Sequence, residues 1–367
     1  MKILVAPNSM KGSLSAFEFA DIVEKAFTDY SAKFQVRKVP VADGGDLTGE
    51  ILAKALNAEK VIIEVKNPVG KIIKSQYFIS AKTAIIEMTD ASGMKLIGKN
   101  ELNPLKTSSI GTGELIADAI NKGCNKILLA IGGSATVDGG MGILQALGFH
   151  FFDKNGIELQ GNGNSLGKVT KISIPENIPN ISIKIICDVD NPLHGRNGAA
   201  AVFGPQKGAT PEMVVQLEKG LKNWANILQL KTGKNISELK GTGAAGGVSI
   251  PLISFFNAEI VPGADYILTQ LNFEDHIKWS DFVITGEGKL DVQTLNNKAP
   301  FVVSQWAKKQ NKPVFAIGGI VEKEAAVAFD GVFGISKGEM SIESAIKNAG
   351  KLLYDFTFGF AEILDNY

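Results

Sequence analysis

The sequence predicts an α/β protein that contains parallel sheets and more than one domain. Its 367 residues correspond to about two to two and a half domains at ~150 residues each. Several short apolar runs are each followed by a glycine-rich or polar turn and then by a segment of helical period, which is typical of parallel βα units. Hydrophobic residues make up 45% and charged residues 21% of the chain, which is enough for a sizeable core.

The first βα unit lies at the N-terminus. The apolar run Ile3–Ala6 predicts a strand, the polar stretch 7–12 a loop, and the following segment a helix. Ser15 with Glu18 three residues later forms a capping-box pattern, so the helix should begin directly after Ser15.

Three further units follow the same pattern. Strands are predicted at 127–131, 282–284 and 313–317, followed by the loops Gly132–Thr136, Thr285–Gly288 and Gly318–Gly319. Parallel sheets bind ligands at the carboxyl ends of their strands, so the glycine-bearing loops are expected along one functional edge or cleft.

The middle of the chain has a different pattern. Strands are predicted at 61–65, 72–79 and 84–87, with a hairpin turn at Asn67–Gly70, and Thr210 followed by Pro211 should cap a long helix. We therefore expect a discontinuous architecture. Residues 1–60 with 241–367 form one α/β domain, and residues 61–240 form an inserted mixed α/β domain.

Composition excludes several function classes. Lysine plus arginine (38) balances aspartate plus glutamate (38), and only Arg37 and Arg196 are arginines, so a nucleic-acid binder is not expected. Two cysteines are too few for a disulfide scaffold. The N-terminal apolar run is too short for a signal peptide and no later run approaches the ~18 residues of a membrane span. A cytoplasmic protein without membrane partners is expected.

Common nucleotide and metal signatures are absent or weak. No G-x-x-x-x-G-K-[ST] or H-R-D motif occurs, and His150, His194 and His276 have no metal-ligand spacing. Residues Gly241–Gly246 match G-x-G-x-x-G, but no buried strand precedes them, so a flexible loop is the better interpretation.

Acidic residues inside glycine loops carry the useful signal. They occur at Asp43–Asp46, at Asp138–Gly140, at Asp188–Asp190 and around Glu287 to Asp291. Any one Asp-Gly pair is more often a simple turn. Four of them at predicted strand ends favour a Mg²⁺–phosphate site, because glycine frees backbone amides for phosphate and aspartate holds the hydrated cation.

Lys11 lies in the first βα loop, directly before a helix N-terminus that already favours an anion. It is either an exposed lysine or a point charge for a phosphate or a substrate carboxylate.

Taken together, the loops resemble those of the type I glycerate kinase family. Seven motifs carry the resemblance in order along nearly the whole chain: APNSMKGSLS (6–15), PVADGG (40–45), GTGELI (111–116), GGSAT (132–136), CDVDNPL (187–193), FGPQKGAT (203–210) and TGEGKLD (285–291). The family pattern differs at a few positions, of which Asn8 in place of an aspartate matters most, because an amide is not a base.

The resemblance implies two α/β domains, one of them Rossmann- or flavodoxin-like, with the active site in the cleft between them. It implies that D-glycerate is phosphorylated by ATP with the help of Mg²⁺, giving ADP and phosphoglycerate, usually the 2-phosphate. Domain closure would exclude water, since ATP hydrolysis is the competing reaction.

Phosphoryl transfer needs positioning, charge neutralisation and a group that accepts the alcohol proton. We expect Asp291 to be the general base with Lys289 countering the developing charge, Asp43 to be the second choice of base, and Asp188 with Asp190 to hold Mg²⁺. The expected substrate- and nucleotide-binding residues are Ser9, Lys11, Gly44, Gly45, Gly132, Gly133, Ser134, Thr136, Gly286, Glu287 and Gly288.

Other functions stay open at this point. The nearest alternatives are a kinase of another small hydroxy acid and phosphorylation at the 3-hydroxyl. More distant are a nicotinamide-dependent dehydrogenase, based only on Gly241–Gly246, and a two-lobe binding protein without catalysis. The sequence leaves a homo-oligomer open as well.

Overall fold

A computed structural model describes residues 1–336, 338 and 340–366. The helices are α1 (Ala16–Tyr30), α2 (Thr48–Ala55), α3 (Thr89–Ser92), α4 (Ile110–Asn121), α5 (Met141–Ala146), α6 (Ala199–Phe203), α7 (Pro211–Thr232), α8 (Ser249–Phe256), α9 (Gly263–Gln270), α10 (Phe273–Trp279), α11 (Ala299–Lys309) and α12 (Ile342–Asp365). The strands are β1 (Lys2–Val5), β2 (Gln35–Lys38), β3 (Glu59–Lys66), β4 (Ile72–Ser80), β5 (Thr83–Glu87), β6 (Lys126–Ala130), β7 (His150–Phe152), β8 (Glu158–Leu159), β9 (Lys171–Ser173), β10 (Ser182–Ile186), β11 (Glu259–Val261), β12 (Phe282–Leu290), β13 (Val314–Val321) and β14 (Gly331–Gly334).

The first compact unit comprises Met1–Asp43 and the chain from Gly263 onward. Its five-stranded sheet has the order β14-β13-β12-β1-β2, and every neighbouring pair is parallel. Leu4 of β1 belongs to one apolar cluster and Ile3 and Val5 to another, because successive side chains of a strand point to opposite faces. Helices α1 and α12 supply residues to the second cluster and α10 and α11 to the first, so both faces of the sheet are covered.

The start of α1 is confirmed. Ser15 Oγ accepts a hydrogen bond from the Glu18 amide at 3.1 Å, and Glu18 Oε2 accepts one from the Ser15 amide at 2.8 Å. This reciprocal pair satisfies two of the amide donors that every helix N-terminus leaves without a partner.

The second compact unit is Gly44–Pro262. Its six-stranded sheet has the order β11-β10-β6-β5-β4-β3, in which the first four strands are parallel and β4 pairs antiparallel with both of its neighbours, β5 and β3. Strands β7 to β9 form a small separate sheet of three strands. The core includes Trp224 of α7, whose indole N–H donates to the Gly139 carbonyl at 2.8 Å.

The α/β fold class with parallel sheets is confirmed, and so are the hairpin of β3 and β4 and the helix after Thr210. Two predicted loops are wrong. Thr285–Gly288 is not a loop but the continuation of β12, and Gly318–Gly319 likewise lies within β13. The two strands pair as far as Leu290 with Val321, and a Cβ on Gly286 would lie 2.1 Å from the Ile317 carbonyl oxygen, so glycine serves close strand pairing there.

The unit boundaries fall at 43/44 and 262/263, whereas the sequence analysis places them at 60/61 and 240/241. Residues 44–60 group with the second unit because α2 packs on β4 and β5 and the Gly49 amide donates to Glu87 Oε2 at 3.0 Å. No helix in the described part of the chain is both long and apolar enough to cross a membrane.

Candidate active site

In the first unit, three neighbouring strands bring together polar residues that are far apart in sequence. Asn8 follows β1, Asp43 follows β2, and Glu287 lies near the carboxyl end of β12. Asn8 Nδ2 donates to Asp43 Oδ2 at 3.1 Å, and the Ser9 amide donates to Asn8 Oδ1 at 2.8 Å. An ionised aspartate at position 8 could not donate to Asp43, so this contact depends on the amide of Asn8.

Glu287 is the buried carboxyl of this cluster, with 7% of its surface exposed. Thr294 Oγ1 donates to its Oε1 at 2.7 Å, and Lys298 Nζ lies 3.5 Å from its Oε2. Burial raises the pKa of Glu287 above its ordinary value, the negative charge of Asp43 adds to the rise, and Thr294 and Lys298 oppose it. The cluster therefore contains a carboxyl that releases its proton less readily than an exposed glutamate.

Asp291 directly follows β12 and behaves in the opposite way. Lys289 Nζ lies 3.2 Å from Asp291 Oδ2 and 2.7 Å from Glu322 Oε1, and the Gln293 amide donates to Asp291 Oδ1 at 2.8 Å. Burial by itself raises the pKa of Asp291, but these hydrogen bonds and the nearby lysines outweigh burial and hold the pKa below its usual value. Asp291 is thus ionised at neutral pH.

Lys11 is exposed in the loop between β1 and α1. A Cβ on Gly288 would lie 3.4 Å from the Lys11 amide nitrogen, so the loop runs closely along β12. The structure therefore groups the expected site residues of this unit: Ser9, Lys11, Asp43, Gly286, Glu287, Gly288, Lys289 and Asp291.

In the second unit, glycines bring three backbone segments into close contact. The Gly132 amide, after β6, donates to the Gly44 carbonyl at 2.9 Å, and a Cβ on Gly132 would lie 2.7 Å from Gly45 Cα. A Cβ on Gly44 would lie 2.7 Å from the Ile186 carbonyl oxygen at the end of β10. The two expected glycine loops thus meet beside β6 and β10.

The loop Gly132–Thr136 has the properties of an anion site. Gly133 is exposed and left-handed, with φ +71°, and no described residue accepts a hydrogen bond from the amides of Gly133 and Ser134. Successive amides around a left-handed residue form a concave site for an anion. The side chains of Ser134 and Thr136 are buried, and no partner within the described chain bonds Thr136 Oγ1.

Asp188 and Asp190 follow β10. Asp188 is half-buried, whereas Asp190 is exposed and its Oδ2 lies 3.5 Å from Lys240 Nζ. Within the described residues no three or more His, Cys, Asp or Glu side chains are placed to hold a metal together. Two carboxylates are a donor set of the kind that Mg²⁺ takes in proteins, where water and phosphate complete its shell.

Glu87, at the end of β5, was not expected to belong to the site. It is 6% exposed, accepts from the Gly49 amide at 3.0 Å, and accepts from Thr89 Oγ1 at 2.7 Å. Glu87 thus fixes the first turn of α2, just after the Gly44–Gly45 loop. Burial raises its pKa to about 7, with a further rise from Asp90.

Replacing Glu87 with glutamine is expected to reduce the pH dependence of stability. The folded-state pKa of about 7 exceeds the ordinary value of 4.5, so the folded protein binds the proton more tightly. Stability of the wild type should then fall as pH rises from about 4.5 to about 7, by on the order of 3 kcal/mol, and stay level above that.

Denaturant unfolding of both proteins at about pH 5 and about pH 8 measures this difference. Thr89→Val is a useful control, because it removes one hydrogen bond and leaves the carboxyl in place. If the wild type and Glu87→Gln lost the same free energy between the two pH values, Glu87 would not titrate as inferred.

Several functional candidates escaped the sequence analysis. Lys207, Thr294 and Lys298 each contact a residue described above. Lys207 lies within the FGPQKGAT motif, where a lysine between glycines is the only available signal. Burial, which distinguishes it from other lysines, depends on contacts with residues more than seventy positions away.

Comparison with known proteins covers nearly the whole chain. Residues 3–364 match the model of the family described as the glycerate kinase family. The chain is 40% identical to a glycerate 2-kinase of Escherichia coli K12, over 95% of this chain and 94% of that protein. It is 39% identical to a glycerate kinase of Halalkalibacterium halodurans, over 96% of this chain and 95% of that protein.

A solved structure agrees with these relatives. The crystal structure assigned as glycerate kinase 2 from Salmonella typhimurium LT2 has a TM-score of 0.86 and 38% identity with this chain. The match covers 100% of this chain and 98% of the other.

Proposed function

Because the chain belongs to the glycerate kinase family, we propose that it transfers the γ-phosphoryl group of ATP to D-glycerate, giving ADP and 2-phosphoglycerate. The name of the E. coli relative supports the 2-position. The structural observation that most supports nucleotide binding is the pair of amides at Gly133 and Ser134, for which no described residue provides an acceptor.

The first unit would act on the acceptor alcohol. Asp291 directly follows β12 and is ionised, so its carboxylate could take the proton of the hydroxyl group. Lys289, whose Nζ lies 3.2 Å from Asp291 Oδ2, would balance the charge that develops. Lys11 and Ser9 would bind the glycerate carboxylate. Asp43 stays the second candidate for the base, and its bond from Asn8 holds it in place.

The second unit would bind the nucleotide. The amides of Gly133 and Ser134 would hydrogen-bond phosphate oxygens, while Gly44 and Gly45 support the loop from behind. Asp188 and Asp190 would hold Mg²⁺, which neutralises phosphate charge when bound. Gly132, whose amide is used within the protein, would shape the loop rather than bind.

Steady-state ADP release with ATP, Mg²⁺ and D-glycerate tests the proposal. L-glycerate and a reaction without acceptor serve as controls, and phosphorus NMR identifies the product. We expect release that depends on D-glycerate and a 2-phosphate signal. A 3-phosphate signal would correct only the position of phosphoryl transfer. Turnover with a different hydroxy acid, but not with D-glycerate, would correct the substrate. Absence of any acceptor-dependent ADP release would refute the proposal.

A further inference from the structure

Lys207 is a lysine whose side chain is almost completely buried, with 2% of its surface exposed. It lies in a single helical turn after α6, and its Nζ donates to Ser134 Oγ at 2.8 Å and to the Thr136 carbonyl at 2.7 Å. Its ammonium is thus bonded to two residues of the glycine loop that follows β6.

The ammonium is unfavourable for stability where it lies. Burial lowers the pKa of Lys207 to about 7, and the buried Asp138 partly opposes this. Asp138 is not its hydrogen-bond partner, however, because that carboxylate accepts from the amide and hydroxyl of Ser109 and from the amides of Gly140 and Gly142. Both hydrogen bonds that Lys207 Nζ donates to described residues go to neutral acceptors, and an apolar side chain of similar volume would avoid the desolvation penalty.

The two bonds have a geometric effect on the loop. Lys207 holds the Ser134 hydroxyl and the Thr136 carbonyl towards the interior, and both side chains are buried. The amides of Gly133 and Ser134 meanwhile have no acceptor among the described residues. When Lys207 is protonated, its ammonium, which donates to Ser134 Oγ, would strengthen the attraction of these amides for an anion, since the low-dielectric interior screens the charge weakly. A bound anion would in turn favour the protonated form of Lys207.

We propose that Lys207 is a positioning residue of the nucleotide site, which fixes the Gly132–Thr136 loop in its phosphate-binding conformation and places a buried positive charge behind it. The proposal rests on the proposed function, in which this loop binds the phosphates of ATP. A purely structural lysine would leave the affinity for ATP unchanged.

The test compares Lys207→Met with Lys234→Met. Lys234 is the control, because its Nζ likewise donates to neutral acceptors of the same unit, the carbonyls of Ile253 and Ser254 and Asn257 Oδ1, and none of these belongs to the glycine loop. For each variant we would measure kcat, the KM for ATP, the KM for D-glycerate, the Kd for ATP by calorimetry, and the thermal midpoint.

We expect Lys207→Met to raise the KM and Kd for ATP about 10- to 100-fold, which corresponds to the loss of hydrogen bonds from a charged group. The KM for D-glycerate should stay within about twofold, and the thermal midpoint should change little, because the loss of an unfavourable buried charge is offset by two buried acceptors left without a donor. Lys234→Met should lower the thermal midpoint, while its Kd for ATP stays within about twofold of wild type.

Ser134→Ala tests the same hydrogen bond from its other side, because it removes one acceptor of Lys207 and keeps the lysine. The effects of Lys207→Met and Ser134→Ala on ATP binding should be clearly less than additive in the double variant. ATP affinity of Lys207→Met within about twofold of wild type would overturn the proposal. So would equal losses in both substrates together with a lower midpoint, which indicate general loosening. A wild type that binds no ATP would instead refute the proposed function, and the positioning role with it.

Discussion

Replacing Asp291 with asparagine is expected to lower kcat by roughly 10²- to 10⁴-fold, while the KM for ATP changes by less than about threefold. Asparagine has nearly the same shape and keeps an oxygen for the Gln293 amide, which donates to Asp291 Oδ1 at 2.8 Å. It cannot accept the proton of the acceptor alcohol. The loss should therefore appear in the chemical step and not in nucleotide binding.

The pKa of Asp291 adds a second expectation. Lys289 and the Gln293 amide hold that pKa below its usual value despite burial, so Asp291 stays ionised well into acid. If it is the base, kcat should be nearly constant from about pH 8 down to about pH 5. Glu287 has a raised pKa, so a Glu287 base would give an earlier decline on the acid side.

Glu322→Gln is the matched control for Asp291→Asn. Glu322 shares Lys289 with Asp291, at 2.7 Å, and its substitution removes one carboxylate of the ion pair without touching the assigned base. We expect a change in kcat of less than about threefold. Turnover of Asp291→Asn close to wild type would remove Asp291 from the role, and a large loss in Asp43→Asn or Glu287→Gln would then identify its replacement.

Local sequence signals gave the elements of the fold. The Ser15–Glu18 capping box fixes the start of α1 through contacts three residues apart, and Asn67–Gly70 turns β3 into β4. Such features depend on neighbours in the chain, which is why a sequence can specify them. Glycine as a loop signal was misleading at Gly286. The sequence predicts a loop there, whereas the missing side chain permits close pairing of β12 with β13.

The candidate site was predicted only where its residues adjoin strand ends. Asp43, Glu287 and Asp291 satisfy that rule, because parallel strands bring their carboxyl ends to one edge. Lys207 lies in a helical turn, and Glu87 ends β5 but has no glycine loop directly after it, so neither stands out. Their roles come from burial and from partners that only the fold supplies. Nothing local in a sequence distinguishes a buried lysine from an exposed one.

Replacing Gly132 with alanine is the second change for which we expect a large effect, and it acts on the nucleotide loop. The new Cβ would lie 2.7 Å from Gly45 Cα and 2.8 Å from the Gly44 carbonyl oxygen, and both are backbone atoms that cannot turn away. Overpacking of this kind costs about 1–3 kcal/mol. The KM for ATP should rise at least about tenfold.

Gly167→Ala is the control in the same unit, because a Cβ there would meet only Gly220 Cα, at an ordinary 3.8 Å. The KM for ATP should stay within about twofold of wild type, and the free energy of unfolding should stay within about 1 kcal/mol of it. Denaturant unfolding and steady-state kinetics on both variants separate the clash from the general effect of an added methyl group.

The clash should displace the phosphate-binding amides, because the Gly44–Gly45 segment cannot move away from Gly132. Gly44 lies against the Ile186 carbonyl at the end of β10, where a Cβ would lie only 2.7 Å away, so the strand resists displacement of the segment. Gly132 must move instead, and the amides of Gly133 and Ser134 move with it. A Gly132→Ala protein that loses stability but binds ATP as tightly as wild type would show that these amides do not bind the nucleotide.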